Sequence, residues 1–242
     1  LQLCCRKEHG IMAIGSALLQ ARSGSVDPEI SIRTISRDNN KFGPSGLYAA
    51  GVVFSVSGDK FYLIHDGTSS MTTVKEYTMS TPWSPNSANS TPTATFNPNE
   101  VAKLSLPFFS RDGTKMYLHQ TSTTTIYQYT LSTAWDLGSA SYASKSFNFN
   151  SQAVNIRKQF WSNDGRYLFI LNRSSNDEVF QYSMTTPWDI TTAVYSNKTI
   201  NLTRIDNNAT SINFSKNGRK LIITGYNDAP AQEDRVTQLS LS

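Results

Sequence analysis

The chain has 242 residues, 38% of them hydrophobic, 11% aromatic and 17% charged, and its 22 Lys and Arg against 18 Asp and Glu give a net charge of +4. That is enough apolar material to bury a substantial core, and the basic residues are scattered rather than gathered into the stripe that a nucleic-acid partner requires. The two cysteines are neighbours, Cys4 and Cys5, so they cannot staple distant parts of a fold, and with His9 alone nearby they fall short of a tetrahedral metal set.

Residues 1–28 do not share the pattern of the rest. Arg6 and Lys7 precede an apolar run that contains Ile11, Met12, Ile14, Leu18 and Leu19. This has the basic start and short apolar centre of a secretion signal and is too short to cross a bilayer. If retained, such a run must be buried somewhere, and these five residues are the expected assembly anchor. A strap over the surface of its own chain is the alternative. Residues 29–36 follow, with Ile30, Ile32 and Ile35 in a segment of strand composition.

From residue 54 onward one pattern recurs four times. An aromatic, a Ser, a polar turn and an apolar run begin at Phe54, Phe109, Trp161 and Phe214, spaced by 55, 52 and 53 residues. Asp112-Gly113, Asp164-Gly165 and Asn217-Gly218 supply the left-handed backbone angles of tight hairpins, whereas the first copy, Ser57-Gly58-Asp59, predicts a turn that differs in detail. Each copy thus predicts an inner strand, near residues 47–54 in the first, and a second strand after the turn.

A third strand tracks the hairpin at a fixed distance: Val74-Lys75-Glu76-Tyr77, Ile126-Tyr127-Gln128-Tyr129, Val179-Phe180-Gln181-Tyr182, and a shorter copy around Val236, Leu239 and Leu241. Tyr127, Tyr129 and Leu131 fall on one side and Gln128 and Thr130 on the other, as a strand with one buried face requires. Trp83, Trp135 and Trp188 lie just beyond it, where large rings would fill the wedge between neighbouring sheets, with Tyr77, Tyr129 and Tyr182 packing beside them. Outer strands are expected over residues 93–97, 145–150 and 198–202.

A period near 50 residues with four strands per repeat is that of a propeller. The expected fold is all-β: a four-bladed β-propeller over residues 29–242, closed by the N-terminal strand, with residues 1–28 as an extension. Closure would set Ile30, Ile32 and Ile35 against Val236, Leu239 and Leu241 and cover an otherwise open sheet edge. The same strand entering a neighbouring subunit would make a swapped ring instead.

No catalytic, cofactor or metal residues are assigned. His65 and His119 sit at non-equivalent places in two second strands and are expected to be partly exposed strand residues. The aspartates beside glycine are accounted for as turn formers. Phosphate loops, nucleophile elbows and paired-histidine zinc motifs are missing from the sequence.

Taken together, Phe109-Ser110-Arg111-Asp112-Gly113-Thr114-Lys115-Met116-Tyr117 and Ile126-Tyr127-Gln128-Tyr129-Thr130-Leu131-Ser132-Thr133-Ala134-Trp135-Asp136 resemble a propeller repeat of bacteriophage virion proteins and bacterial surface proteins. The resemblance covers residues 29–242. It implies a non-enzymatic structural component of a phage particle, such as a tail, fibre or other surface protein. Its partners would be other virion proteins, a host-surface glycan or receptor, and further copies of itself as a homo-oligomer, with no nucleic acid, membrane span or cofactor. A secreted or cell-surface glycan-binding propeller is the alternative.

Overall fold

The structure, a computed structural model, describes residue 42 and residues 51–64, 72–101, 103–120, 123–153, 155–173, 177–205, 208–215, 218–226 and 234–241. The expected anchor residues Ile11, Met12, Ile14, Leu18 and Leu19 lie outside these, as do Ile30, Ile32 and Ile35 of the proposed closing strand.

Each repeat begins as a hairpin whose turn is built by its serine. In the second copy Gly113 donates its N–H to Ser110 O at 2.9 Å while Ser110 Oγ accepts the Lys115 N–H at 2.9 Å. Gly113 takes the left-handed φ of 71°, but Asp112 does not share it. Its carboxylate instead accepts from Ser110 Oγ at 2.6 Å and from Thr114 N at 3.1 Å, so the aspartate serves through its side chain rather than through its backbone. The first copy differs as expected: Asp59, beyond the glycine, reaches back to Ser55 Oγ at 2.7 Å and to Ser57 Oγ. Gly58 keeps the same left-handed φ, 72°.

These hairpins extend into four small antiparallel sheets arranged as a four-bladed β-propeller. Blade one holds β1 (Val52–Phe54), β2 (Lys60–Ile64), β3 (Val74–Thr78) and β4 (Ala94–Phe96), hydrogen-bonded in that order. Blade two holds β5 (Phe108–Phe109), β6 (Lys115–His119), β7 (Thr125–Leu131) and β8 (Ala140–Asn148). Blade three holds β9 (Ile156–Trp161), β10 (Tyr167–Asn172), β11 (Glu178–Met184) and β12 (Ala193–Asn201). Among the described residues blade four has three strands, β13 (Ala209–Phe214), β14 (Lys220–Tyr226) and β15 (Asp234–Ser240).

Two outer strands start earlier than the spacing predicted, at Ala140 and Ala193, directly after short 3-10 turns at Leu137–Ser139 and Ile190–Thr192. Each continues through a bulge. Gln128 pairs with Lys145 but Tyr129 with Tyr142, and Gln181 pairs with Lys198 but Tyr182 with Tyr195. The unpaired residues include Ser144 and Asn197, with φ of 55° and 54°. In blade one Pro92 cannot donate to a ladder, and β4 is correspondingly short.

Three of the four apolar clusters lie between blades, and the fourth, Phe61, Leu63, Tyr77 and Met79, belongs to blade one with Phe42 packed against it. One apolar cluster joins Val53, Tyr62 and Ile64 of blade one to Phe109, Met116 and Tyr129 of blade two. A second joins Tyr117 and Ile126 to Trp161, Ile170 and Tyr182, and a third joins Leu171 and Val179 to Ile212, Phe214 and Ile223. Where sheets are sandwiched in this way the third strands of blades one and two are buried on part of their second face as well, although Thr78 and Thr130 stay exposed and β15 alternates exposed with half-buried residues. Gln128 and Glu76, placed by the alternation on an open side, are each 2% exposed.

Candidate functional site

The corner after each third strand is the most regular feature of the molecule. Trp83, Trp135 and Trp188 each donate their backbone N–H to the glycine carbonyl of their own hairpin, at 2.8, 3.0 and 3.0 Å. All three take a left-handed φ, between 61° and 63°, which costs a bulky residue about 1–2 kcal/mol. That backbone lays the indole flat over the glycine. A Cβ at Gly58, Gly113 or Gly165 would stand 2.1–2.3 Å from the ring.

Two of these rings bridge blades. Trp135 stacks near Phe109 of its own blade and Tyr62 of the blade before, with centroids 5.4 and 6.5 Å apart. Trp188 does the same with Trp161 at 5.6 Å and Tyr117 at 6.3 Å. In both cases the tyrosine hydroxyl donates to the tryptophan carbonyl at 2.6 Å. Burial is the main reason the Tyr62 and Tyr117 hydroxyls are pushed far above the ordinary tyrosine range. Trp83 contacts Phe54 in its own blade and is 43% exposed. Tyr129 packs edge-on to Phe96 of blade one, Tyr182 to Phe149 of blade two and Tyr77 to Phe42, while Tyr77 stacks on Phe61.

Polar ties run alongside the rings. Glu76 accepts the Leu137 N–H at 2.7 Å and holds Lys60 at 2.8 Å, while Gln128 accepts the Ile190 N–H at 3.0 Å. Lys145 grips Asp189 at 2.6 Å. Burial alone would raise Asp189, but this lysine and Thr191 hold its carboxyl below the usual range. Asp177 accepts from Ala209 N at 2.7 Å, and Arg157 spans to Asn208 and Ala209 at 2.8 Å each. None of the ties between blades is visible in the sequence as a motif, because each partner lies 30 or more residues away.

Between blades three and four lies a groove of about 690 Å³. Phe160, Phe169 and Phe214 form its apolar wall, Gln181 and Lys198 its polar one, and Tyr167 lies on it, 42% exposed. Its inner end carries Lys158 and Gln159 of β9. Lys158 is half-buried with its ammonium group desolvated, which lowers its pKa to about 8. Gln159 bonds Tyr117 O at 3.1 Å and lies 3.4 Å from His119 Nδ1. His119 is 0% exposed, correcting the expectation of a partly exposed residue: the inner strand of the next blade covers its face of β6. Burial, with the charge of Lys158, depresses its pKa to about 3. Among the described residues no three His, Cys, Asp or Glu side chains cluster as a metal site.

Of the residues assigned to closure, Val236 is 75% exposed, and Leu239 and Leu241 pack against the third apolar cluster. His65, the cysteines and His9 lie outside the described residues.

No family model and no curated protein matches this chain. Solved propellers do. A Bacteroides fragilis protein assigned as a 6-phosphogluconolactonase matches with a TM-score of 0.51 at 13% identity, over 78% of this chain and 54% of its own. The periplasmic gluconolactonase of Pseudomonas aeruginosa gives 0.51 at 14% over 80% and 54%. A protein from Lactobacillus plantarum gives 0.50 at 15% over 79% and 57%. The chain therefore spans about half the length of the structures it matches, and at these identities the likeness is one of β-propeller fold.

Proposed function

We propose that the chain is a non-enzymatic structural module of a bacteriophage particle, docked through residues 1–28 and presenting a rigid propeller for protein or host-surface contacts. The observation that carries this reading is how the buried polar groups are used. Glu76, Gln128, Asp177 and the Lys145–Asp189 pair each join one blade to the next, which favours a stiff platform whose loops are free to vary. The repeat's resemblance to virion and surface proteins supplies the setting. The lactonase names of the solved neighbours belong to those proteins, and the shared fold does not carry their chemistry across.

An antibody against the propeller is expected to decorate released virus particles, and the purified chain to leave hydrolysis of glucono-δ-lactone at the buffer rate. Unlabelled particles, or a lactonase rate abolished by Lys158→Met, would overturn the reading. A second reading, glycan binding by a secreted or surface-displayed propeller, draws on Tyr167, an exposed ring at the groove and a suitable platform for a sugar face. Glycan-array binding lost in Tyr167→Ala would favour it.

A further inference from the structure

The inner end of the groove is walled by the inner strands of all four blades. Val53 comes from β1, Phe108 from β5 with Leu106 just before it, Lys158 and Phe160 from β9, and Asn213 from β13. These are equivalent places in the repeat. Val53, Phe108, Phe160 and Asn213 each stand one residue before the aromatic that opens their copy, and Leu106 and Lys158 stand three before it. Around the axis the fold thus sets an apolar wall interrupted by one amide and one charge.

That charge is handled unlike the other buried lysines. Lys60 is held by Glu76 and Lys145 by Asp189. Lys158 meets no carboxylate and no hydrogen-bond acceptor among the described residues, and desolvation is what lowers its ammonium to about 8. Its charge is felt by His119, which is 0% exposed and so is closed to anything in the groove. Asn213 is 5% exposed and makes no side-chain hydrogen bond to a described residue. A cation kept in an apolar wall is costly unless an anion joins it.

We propose that the inner end of the groove binds a small monocarboxylic acid with an apolar body. The carboxylate pairs with the Lys158 ammonium and accepts from the Asn213 amide, while the body lies along Phe160, Phe108 and Val53. The wall discriminates against a phosphate, because one cation among apolar side chains neutralises a monoanion but leaves a dianion with an uncompensated charge out of water. A groove of about 690 Å³ is in the ordinary range for a small-molecule site. Nothing in this pairing depends on where the propeller is carried.

The probes are 4-phenylbutyrate, its neutral amide and phenyl phosphate, each titrated with the purified chain at pH 7 and followed by saturation-transfer NMR of the ligand. The acid is expected to bind saturably, with a Kd on the order of 100 μM or tighter, and at least about tenfold more tightly than the amide or the phosphate. In Lys158→Met the preference for acid over amide should vanish while amide binding persists on the unchanged apolar wall, which also shows that the variant is folded. At pH 9 Lys158 has lost most of its proton, so the unaltered protein should bind the acid about tenfold more weakly than at pH 7 and the amide equally well. This second arm decides the matter even if the methionine variant does not fold. Absence of saturable acid binding, equal affinity for acid and amide, phenyl phosphate binding as tightly as the acid, a preference that survives in folded Lys158→Met, or acid affinity that does not fall at pH 9 overturns the proposal.

Discussion

At the level of single residues, the repeat is organised by a pairing of glycine with tryptophan. The glycine is required twice over, by its left-handed φ and by the ring pressed onto its face, and the tryptophan accepts a strained backbone to reach that place. Two glycines with nearly the same φ therefore have different tolerances. Gly113→Ala is expected to lose about 2–4 kcal/mol, because the methyl must displace the Trp135 ring as well as strain the backbone. Gly218→Ala, with φ 69° and no atom of the described residues within 4 Å of the added methyl, should lose about 1 kcal/mol, the backbone cost alone. Urea unfolding of the two variants side by side measures the difference, and equal losses would show that the ring contact contributes nothing.

Parts of the third strands in this fold are covered on both faces, so a polar residue on the second face can still land inside the protein. Gln128 illustrates the consequence. Its side chain turns that burial to use by accepting the Ile190 N–H at the start of a 3-10 turn in the next blade. Gln128→Leu leaves that donor without its acceptor and is expected to cost about 1–3 kcal/mol. Gln181, at the same place in β11 but facing the groove, makes no such bond among the described residues, and Gln181→Leu should change stability by less than about 0.5 kcal/mol. Chemical denaturation of both variants tests whether the ties between blades, rather than strand composition, stabilise these elements.

For the molecule as a whole, the burial of His119 where blades two and three meet, with the charge of Lys158 adding to it, gives stability a dependence on pH. His119 titrates at about 3 when folded against about 6.5 when unfolded, so the unfolded state takes up the proton first as pH falls. The contribution is complete above pH 6.5 and is lost progressively towards pH 3, reaching about 2 kcal/mol by pH 5. Asp59, Asp112, Asp164 and Asp189 are all held below the ordinary carboxylate range and begin to lose stability at lower pH still. Unfolding free energies at pH 5 and pH 7 should therefore differ in the unaltered protein and nearly coincide in His119→Gln. An unchanged slope in that variant would assign the effect elsewhere.

How much of this was legible beforehand follows the range of the forces involved. The period of about 50 residues, the Ser-x-Asp-Gly hairpins and the period-2 third strands are local, set by turn chemistry and alternation within ten residues, and they were sufficient to read a four-bladed propeller. Trp135 and Trp188 were read as wedge residues on the same grounds. Their partners were not: Tyr62, Gln128 and Lys145 reach residues 73, 62 and 44 positions away, and nothing in the local pattern distinguishes them from solvated strand residues. His119 looked like an ordinary surface position until a second sheet covered it. Local sequence selects strands and turns because each is satisfied by its near neighbours. Which side chains end up buried, paired or facing a groove depends on how sheets stack across the chain, and that was settled by packing in three dimensions.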